Sequence, residues 1–504
     1  MRRTIAIITI LVGCGAPRSE NKSKVQTARL GDKDAPKGEI VTEKVNEMNS
    51  SKYGRPPVKF RPGSVSKLEP PKATKTASGF QVVFASHAQI TTPTVYQREL
   101  LVSGGFHSQE LYAYETKTGK PLWGLNLHDD GPSSPACERG VCVISTESCT
   151  IFAIAADSGK LLWSYWLGDP LTSAPTIANN RVFASYPAGQ GDEGKPRPPG
   201  ASHALAAFEL TTGKILWQLW LDGDVMSAPV AVGDFVYVST FGGTVIKVEQ
   251  ATGKVRYAMK SKATSAPVVQ FDKDGVESMY YTRRGEQEAN GEAEEMLIRA
   301  DHNEPQTRYK AAKKKADYID RKVQANTDQA AKSKELDASN GFSDGAPASA
   351  ASGYAFDSVG INNVSSMQSF QGSRVLRMGQ RSFNTMGNEV VATDADTGNT
   401  LWSFKLSGDT RKQGGFLGTA PLAAGNSVLL GTLDGRVVRL DPAKGKATAE
   451  YKVGAPVRSQ PVVDSGWIYV GTEDGKLVAI DTKDPSITGW PTWGGNAQRT
   501  GIAH

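Results

Sequence analysis

The chain has 504 residues, a formal net charge of +6, four cysteines and six histidines. The basic balance invites a nucleic-acid reading, but the placement of the charge excludes it. Two arginines stand at the extreme N-terminus, residues 15–78 hold 14 Lys and Arg against 7 Asp and Glu, and residues 310–336 hold 8 against 4; the remaining 34 basic and 41 acidic residues make the body formally −7. Such a body offers no basic face to a polyanion.

Met1-Arg2-Arg3 and an apolar run from Ile5 to Val12 open the chain. The run is too short to span a bilayer and reads as a signal-peptide core. It ends in Leu11-Val12-Gly13-Cys14, which resembles the bacterial lipobox. That resemblance implies a signal peptide of residues 1–13, cleavage before Cys14, and acylation of both its thiol and its new amine. Several acyl chains on one residue anchor stably where one does not. Gly15 follows, not Asp, which by the sorting rule of such lipoproteins implies the outer membrane. The alternative is a short secretory signal with an incidental cysteine.

Residues 15–78 are rich in Lys, Pro, Ser and Glu and poor in large apolar residues. They read as a disordered tether, with an end-to-end distance on the order of 45 Å for a flexible chain. A plain solvated linker is preferred over adsorption to anionic headgroups.

From residue 79 a phrase of four short strands recurs, which identifies an all-β, eight-bladed β-propeller of four-stranded antiparallel blades over 79–489. The first strands begin at Pro93, Pro135, Pro175, Pro229, Pro267, Pro421 and Pro461, and Ser365–Gly372 fills the remaining slot. The turns between third and fourth strands are Thr118-Gly119, Ser158-Gly159, Thr212-Gly213, Thr252-Gly253, Thr397-Gly398 and Lys444-Gly445. An aromatic follows: Trp123, Trp163, Trp217, Tyr257, Trp402 and Tyr451, with Tyr309 in the degenerate fifth blade. These are read as structural wedges between blades. The stretch Gly79–Ser86 precedes the first blade and is expected to pair with 476–481, closing the ring and removing two sheet edges.

Cys137, Cys142 and Cys149 all fall in blade two. An Arg139-Gly140 turn makes 137 and 142 a non-hydrogen-bonded pair, where side chains come closest. A Cys137–Cys142 disulfide is expected, with Cys149 left over; no other ligands stand at metal spacing, so no metal is expected.

Insertions at 187–203, 285–292 and 379–388, and the connection 310–360, are expected on one side of the ring. The first half of 310–360 reads as a helix, with Ala312, Ala316, Ile319, Val323 and Ala330 on a narrow stripe. Such loops are where scaffolds place function. Trp490–Gly501 reads as part of a tail, 490–504, packed on the propeller.

No catalytic residue is assigned. There is no Cys-x-x-Cys-His, no Gly-x-Ser-x-Gly and no phosphate loop, and the aspartates of Asp157-Ser158-Gly159 and Asp396-Thr397-Gly398 are turn formers. The Asp-x-x-Thr-Gly-Lys-x-x-Trp phrase resembles the pyrroloquinoline-quinone (PQQ) enzyme repeat, which implies the fold strongly and the chemistry weakly. Lipobox and blades without a cysteine pair together resemble the BamB family of outer-membrane assembly lipoproteins. That resemblance implies a non-enzymatic scaffold without cofactor, monomeric, lipid-anchored on the periplasmic side of the outer membrane. Its implied partners are proteins, among them the β-barrel assembly machinery, and not nucleic acid. The alternative is a PQQ- or small-ligand-binding propeller, a dehydrogenase or a sensor.

Overall fold

The computed structural model describes residues 26–29, 38–58, 63–301, 309–316 and 374–503, apart from short gaps at 106–107, 147–149, 168–172, 193, 262, 288–292 and 410–415. Eight antiparallel sheets form, one per blade, in chain order around a ring. Blade two shows the pattern: strands Ala136–Glu138 (A), Val141–Ser145 (B), Thr150–Ala155 (C) and Leu161–Trp166 (D). The A strands of consecutive blades lie side by side at the axis and the D strands form the outer rim. Strands B and C carry the core, with Val143, Ile151 and Ala153 fully buried.

Turn chemistry sets each blade. Arg139 and Gly140 both have positive φ, 51° and 79°, which is the two-residue turn that matches strand twist. Between C and D the glycine does two jobs. Gly213 has φ 71°, and a Cβ there would stand 2.7 Å from the Trp163 ring of the preceding blade. The Trp163 indole N–H donates to the Leu210 carbonyl at 2.8 Å in the same turn. The arrangement repeats with Trp123 on Ala156 at 3.0 Å, Trp217 on Gln250 at 2.8 Å and Trp402 on Pro442 at 3.0 Å. Each D-strand Trp thus docks on the next blade's turn, which couples neighbouring blades. Its cross-strand partner on C is small, Ala113, Ala153, Ala207 or Ala392, and leaves room for the indole.

The ring closes as expected. Gly79–Val83 pairs with Lys476–Asp481 and serves as the D strand of blade eight. Phe80 stands opposite Ala479 in the Trp register and covers Gly119 of blade one.

Four expectations about the blades need correction. Strand A of blade six is Leu376–Met378, not Ser365–Gly372, which lies outside the described residues. Segment 379–388 is no insertion: it holds the A–B turn, strand Arg381–Met386 and a tight turn at Gly387. The 310–360 segment does not begin as a helix. Tyr309–Ala316 is the D strand of blade five, paired with Ala293–Asp301, because a fourth strand there satisfies the sheet edge that a helix would leave open. Ile319, Val323 and Ala330 lie outside the described residues. In blade seven the Trp register belongs to Ala449, opposite Arg439, and Tyr451 stands two positions further on, opposite Val437.

The tether differs most. Residues 26–29, 38–58 and 63–78 run around the outer rim against chain direction, as a belt. Gln26–Arg29 adds to strand D of blade five and Glu39–Ile40 to blade four. Helix Thr42–Met48 packs between blades four and three, with Val45 buried. Ser66–Leu68 adds to blade one and Thr74–Thr76 to blade eight. Composition misses this because strand addition uses backbone hydrogen bonds and needs few apolar side chains.

Candidate functional site

Among the described residues, buried polar chemistry gathers at the axis, on the loop side of blade three, and at the contacts of blade five with blades four and six. At the axis the C-terminal tail crosses the inner strands. Val463 N donates to Trp490 O at 2.8 Å, Val95 N to Pro491 O at 2.6 Å, Ile177 N to Ala497 O at 2.9 Å and Ala231 N to Gln498 O at 2.9 Å. Ile502–Ala503 then runs parallel to strand A of blade six. The tail thus links the A strands of blades one, three, four, six and eight.

Arg499 is the anchor of that plug and is fully buried. It donates to Trp493 O at 2.7 Å, Thr492 Oγ1 at 3.0 Å, Ser134 O at 3.1 Å and Pro175 O at 3.3 Å. Two A-strand prolines, Pro135 and Pro175, contribute carbonyls to it, each at 3.3 Å, since proline keeps a carbonyl while giving up its N–H. Arg374, 3% exposed, donates to Arg499 O and stacks 4.6 Å from the Trp493 ring. Burial works against both charges, and for Arg499 the neighbouring Arg374 adds to it. Both stay protonated, because guanidinium does not release its proton near neutrality.

On the loop side, blade three carries the long B–C connection between Arg181–Pro187 and His203–Glu209. The belt lies across it: Gly54 N donates to Pro196 O at 3.2 Å, Arg55 N to Asp192 Oδ1 at 2.6 Å and Asp192 N to Arg55 O at 3.0 Å. Beneath, His203 is buried with Ser202 Oγ 2.9 Å from its Nδ1. Burial holds its pKa below the ordinary value, against the opposing pull of Asp224 and Asp222. Asp224 accepts from Ser185 at 2.9 Å, and Asp222 from Thr240 at 2.6 Å and Thr244 at 2.5 Å. These carboxylates are occupied in bracing loops. Among the described residues no three His, Cys, Asp or Glu side chains gather as a metal site.

A family model described as outer membrane protein assembly factor BamB matches residues 107–193, 199–283 and 386–493, more than half of the chain. The chain belongs to this family. BamB of Nitrosomonas eutropha is 23% identical over 181 residues, 33% of this chain and 41% of that protein. BamB of Shewanella oneidensis is 26% identical over 207 residues, 39% of this chain and 51% of that protein. The chain therefore spans about half or less of the length of these relatives. The quinoprotein alcohol dehydrogenase PedH of Pseudomonas putida is 26% identical over 144 residues, 25% of this chain and 24% of that protein. Among solved structures, Sqt1 of Saccharomyces cerevisiae covers 78% of this chain and 96% of its own at 10% identity, with a TM-score of 0.51. That likeness concerns the fold alone.

Set in this BamB-family propeller, the residues singled out from sequence separate by role. Trp123, Trp163, Trp217 and Trp402 are interblade docks. Tyr257 keeps the register position but its hydroxyl turns to Met259 Sδ at 3.2 Å. Tyr309 holds the same register opposite Ala300. Cys137 and Cys142 are a cross-strand pair joined by a disulfide, with Cα atoms 4.1 Å apart. Cys14 and Cys149 lie outside the described residues.

Sequence reasoning missed the blade four–five contact. Where other blades place Ala opposite the D-strand aromatic, blade four has Lys247. Its Nζ is 2.5 Å from Glu277 Oε2 of blade five, with side-chain exposures of 5% and 2%. Tyr237 donates to the same oxygen at 2.7 Å, and the ammonium sits 3.9 Å over the Phe235 ring. The signal was a charged residue at an inward strand position, Thr244–Glu249, but its partner lies 30 residues on and no local pattern points to it.

Proposed function

We propose that this chain is a non-enzymatic scaffold of outer-membrane protein assembly, lipid-anchored at Cys14 on the periplasmic side of the outer membrane. The family match over more than half of the chain carries the reading. The tail that fills the axis and the carboxylates committed to loop bracing are consistent with it, because these groups are engaged in holding the ring together. The partner is a protein of the β-barrel assembly machinery, a reading supported by membership of the family of outer membrane protein assembly factor BamB.

The belt alters how the anchor works. Eleven residues separate Cys14 from Gln26. Fully extended they reach roughly 40 Å, so an anchored Cys14 keeps blade five near the membrane instead of letting the propeller roam on 64 free residues. The test is crosslinking of the full-length tagged chain in envelopes, with quantification of assembly-machinery subunits. Enrichment over a secreted Cys14→Ala control is expected. Equal recovery of those subunits from both would sink the proposal. Stoichiometric uptake of PQQ and calcium with alcohol turnover would replace it by the dehydrogenase reading.

A further inference from the structure

The belt covers the outer edges of the blades selectively. The decisive position is the fifth residue after the C–D turn glycine, one past the docking aromatic. Its backbone points away from strand C, toward the rim. In blade one it is Gly124, which pairs with Leu68. In blade two it is Ser164, whose Oγ accepts from Gly63 N at 2.6 Å. In blade three it is Gln218, which donates to Pro56 O at 2.6 Å. In blade four it is Ala258, whose carbonyl accepts from Val41 N at 2.8 Å and whose N–H donates to Thr42 Oγ1 at 3.0 Å. In blade eight Gln81 pairs with Thr74. Blade five receives Gln26–Arg29.

Blades six and seven receive nothing outside strand D from the described residues. Their D strands, Thr400–Lys405 and Ala447–Lys452, share one exposure pattern in which alternate residues are exposed, Ser403 and Glu450 included. The ladder fixes which backbone groups are open. Leu406 N donates inward to Asn388 O at 2.7 Å and Val453 N to Gly435 O at 2.9 Å. By alternation, Leu401, Ser403 and Lys405, and Thr448, Glu450 and Lys452, direct their N–H and C=O groups to the rim.

The geometry points to these two neighbouring edges as a docking surface for an extended strand of a second polypeptide, added antiparallel to strand D. The occupant follows from three features. An open ladder of amides and carbonyls is matched by another strand and by little else. The molecule already seats extended antiparallel chain on the equivalent edges of blades one, four, five and eight. Charge then sets the kind of strand: Lys405 and Lys452 stand at equivalent positions at the ends of the two strands, both exposed. In an antiparallel partner these positions meet its N-terminal end. The partner is therefore a strand with Asp or Glu at its start and β-branched residues after it.

The experiment uses the full chain and a defined probe, the peptide Asp-Asp-Thr-Val-Thr-Val-Thr-Val-Ser, with a twin carrying Lys for Asp. Hydrogen exchange is read by mass spectrometry, so the result is independent of the envelope assay for the assembly reading. The acidic peptide is expected to slow exchange at least tenfold at 401–405 and 448–452, and the lysine twin to bind at least fivefold more weakly. Ser403→Pro removes one outward N–H at an edge position that tolerates proline. It is expected to abolish protection in blade six and to leave blade seven protected. Should that variant fold poorly, Lys405→Glu is expected to reverse the preference between the two peptides at blade six. No protection at millimolar peptide overturns the proposal, as does protection at blades one, four or eight with release of the belt. Slow exchange without peptide overturns it too: if it depends on protein concentration, a second copy covers the edge, and if it does not, the chain covers the edge itself.

Discussion

Blades one to four and blades four to seven hold their neighbours in different ways. In the first group, three tryptophans dock in sequence on the next turn, and the belt covers every outer edge. Beyond blade four, polar groups couple three of the junctions. Between blades four and five a buried Lys247–Glu277–Tyr237 cluster does the coupling. From blade five to blade six, Arg299 reaches Asp396 at 3.0 Å and Arg377 donates to Gln270, with both guanidiniums beside the Tyr280 ring. From blade seven to blade eight, Arg439 reaches Asp484 at 2.7 Å in place of an aromatic on a glycine. A propeller thus tolerates loss of its docking aromatic where polar pairs replace it. The two blades with open rims, six and seven, are flanked by the polar junctions five–six and seven–eight, while Trp402 still docks between them.

The comparison breaks most visibly at its two anchors. Trp163→Ala removes a buried indole and its hydrogen bond to the Leu210 carbonyl, and is expected to cost about 3–5 kcal/mol in denaturant unfolding. Glu277→Ala strands a buried ammonium and is expected to cost a similar 3–5 kcal/mol. The two differ in rescue. In a Tyr237→Phe background, which removes the hydroxyl that Glu277 accepts from, Lys247→Met with Glu277→Leu is expected to return to within about 1 kcal/mol of the parent, because an apolar cluster avoids the desolvation cost. No second-site change of this kind restores Trp163→Ala. A double variant as unstable as Glu277→Ala alone would show that the ion pair is needed for more than charge balance.

A smaller effect belongs to the hairpin of blade two. Reducing Cys137–Cys142, or making Cys137→Ser, removes a short closed loop and is expected to cost roughly 2 kcal/mol by loop-closure entropy. Non-reducing peptide maps should recover the 137–142 linkage; linkage to Cys149 would mean a different register in this blade.

The smallest effect concerns pH. His203 has a lowered folded-state pKa, so below about 6.5 the unfolded chain takes up a proton that the folded chain resists. Stability is retained above that value and falls as pH drops through it, by at most ~1.4 kcal/mol per pH unit. His203→Gln should flatten the slope between pH 6.5 and 5. An unchanged slope would assign the acid sensitivity to other groups.

Much of this was legible in the sequence. The repeated proline, turn glycine and tryptophan are local signals, each tied to one backbone or packing need, and they gave the blades, the ring closure and the 137–142 register. The misreadings share a cause. Strand A of blade six lacks the proline, so the spacing slid to Ser365 when the strand begins at Leu376. Ala312 and Ala316 fall at helical spacing, yet a sheet edge beside Ala293–Asp301 takes them as strand. The belt carries almost no apolar pattern because its partners are backbone groups. Arg374, Arg499 and Lys247 are buried by contacts 30 to 365 residues away, which no window along the chain contains.

Hydrogen exchange of the mature, partner-free chain tests the belt most directly. Amides at 40–41, 66–68 and 74–76, and their rim partners Ala258 and Gly124, should exchange slowly, while Ser403 and Glu450 exchange fast. Fast exchange throughout 38–78, as a disordered tether would show, together with equal exchange at all eight rims, would contradict the account.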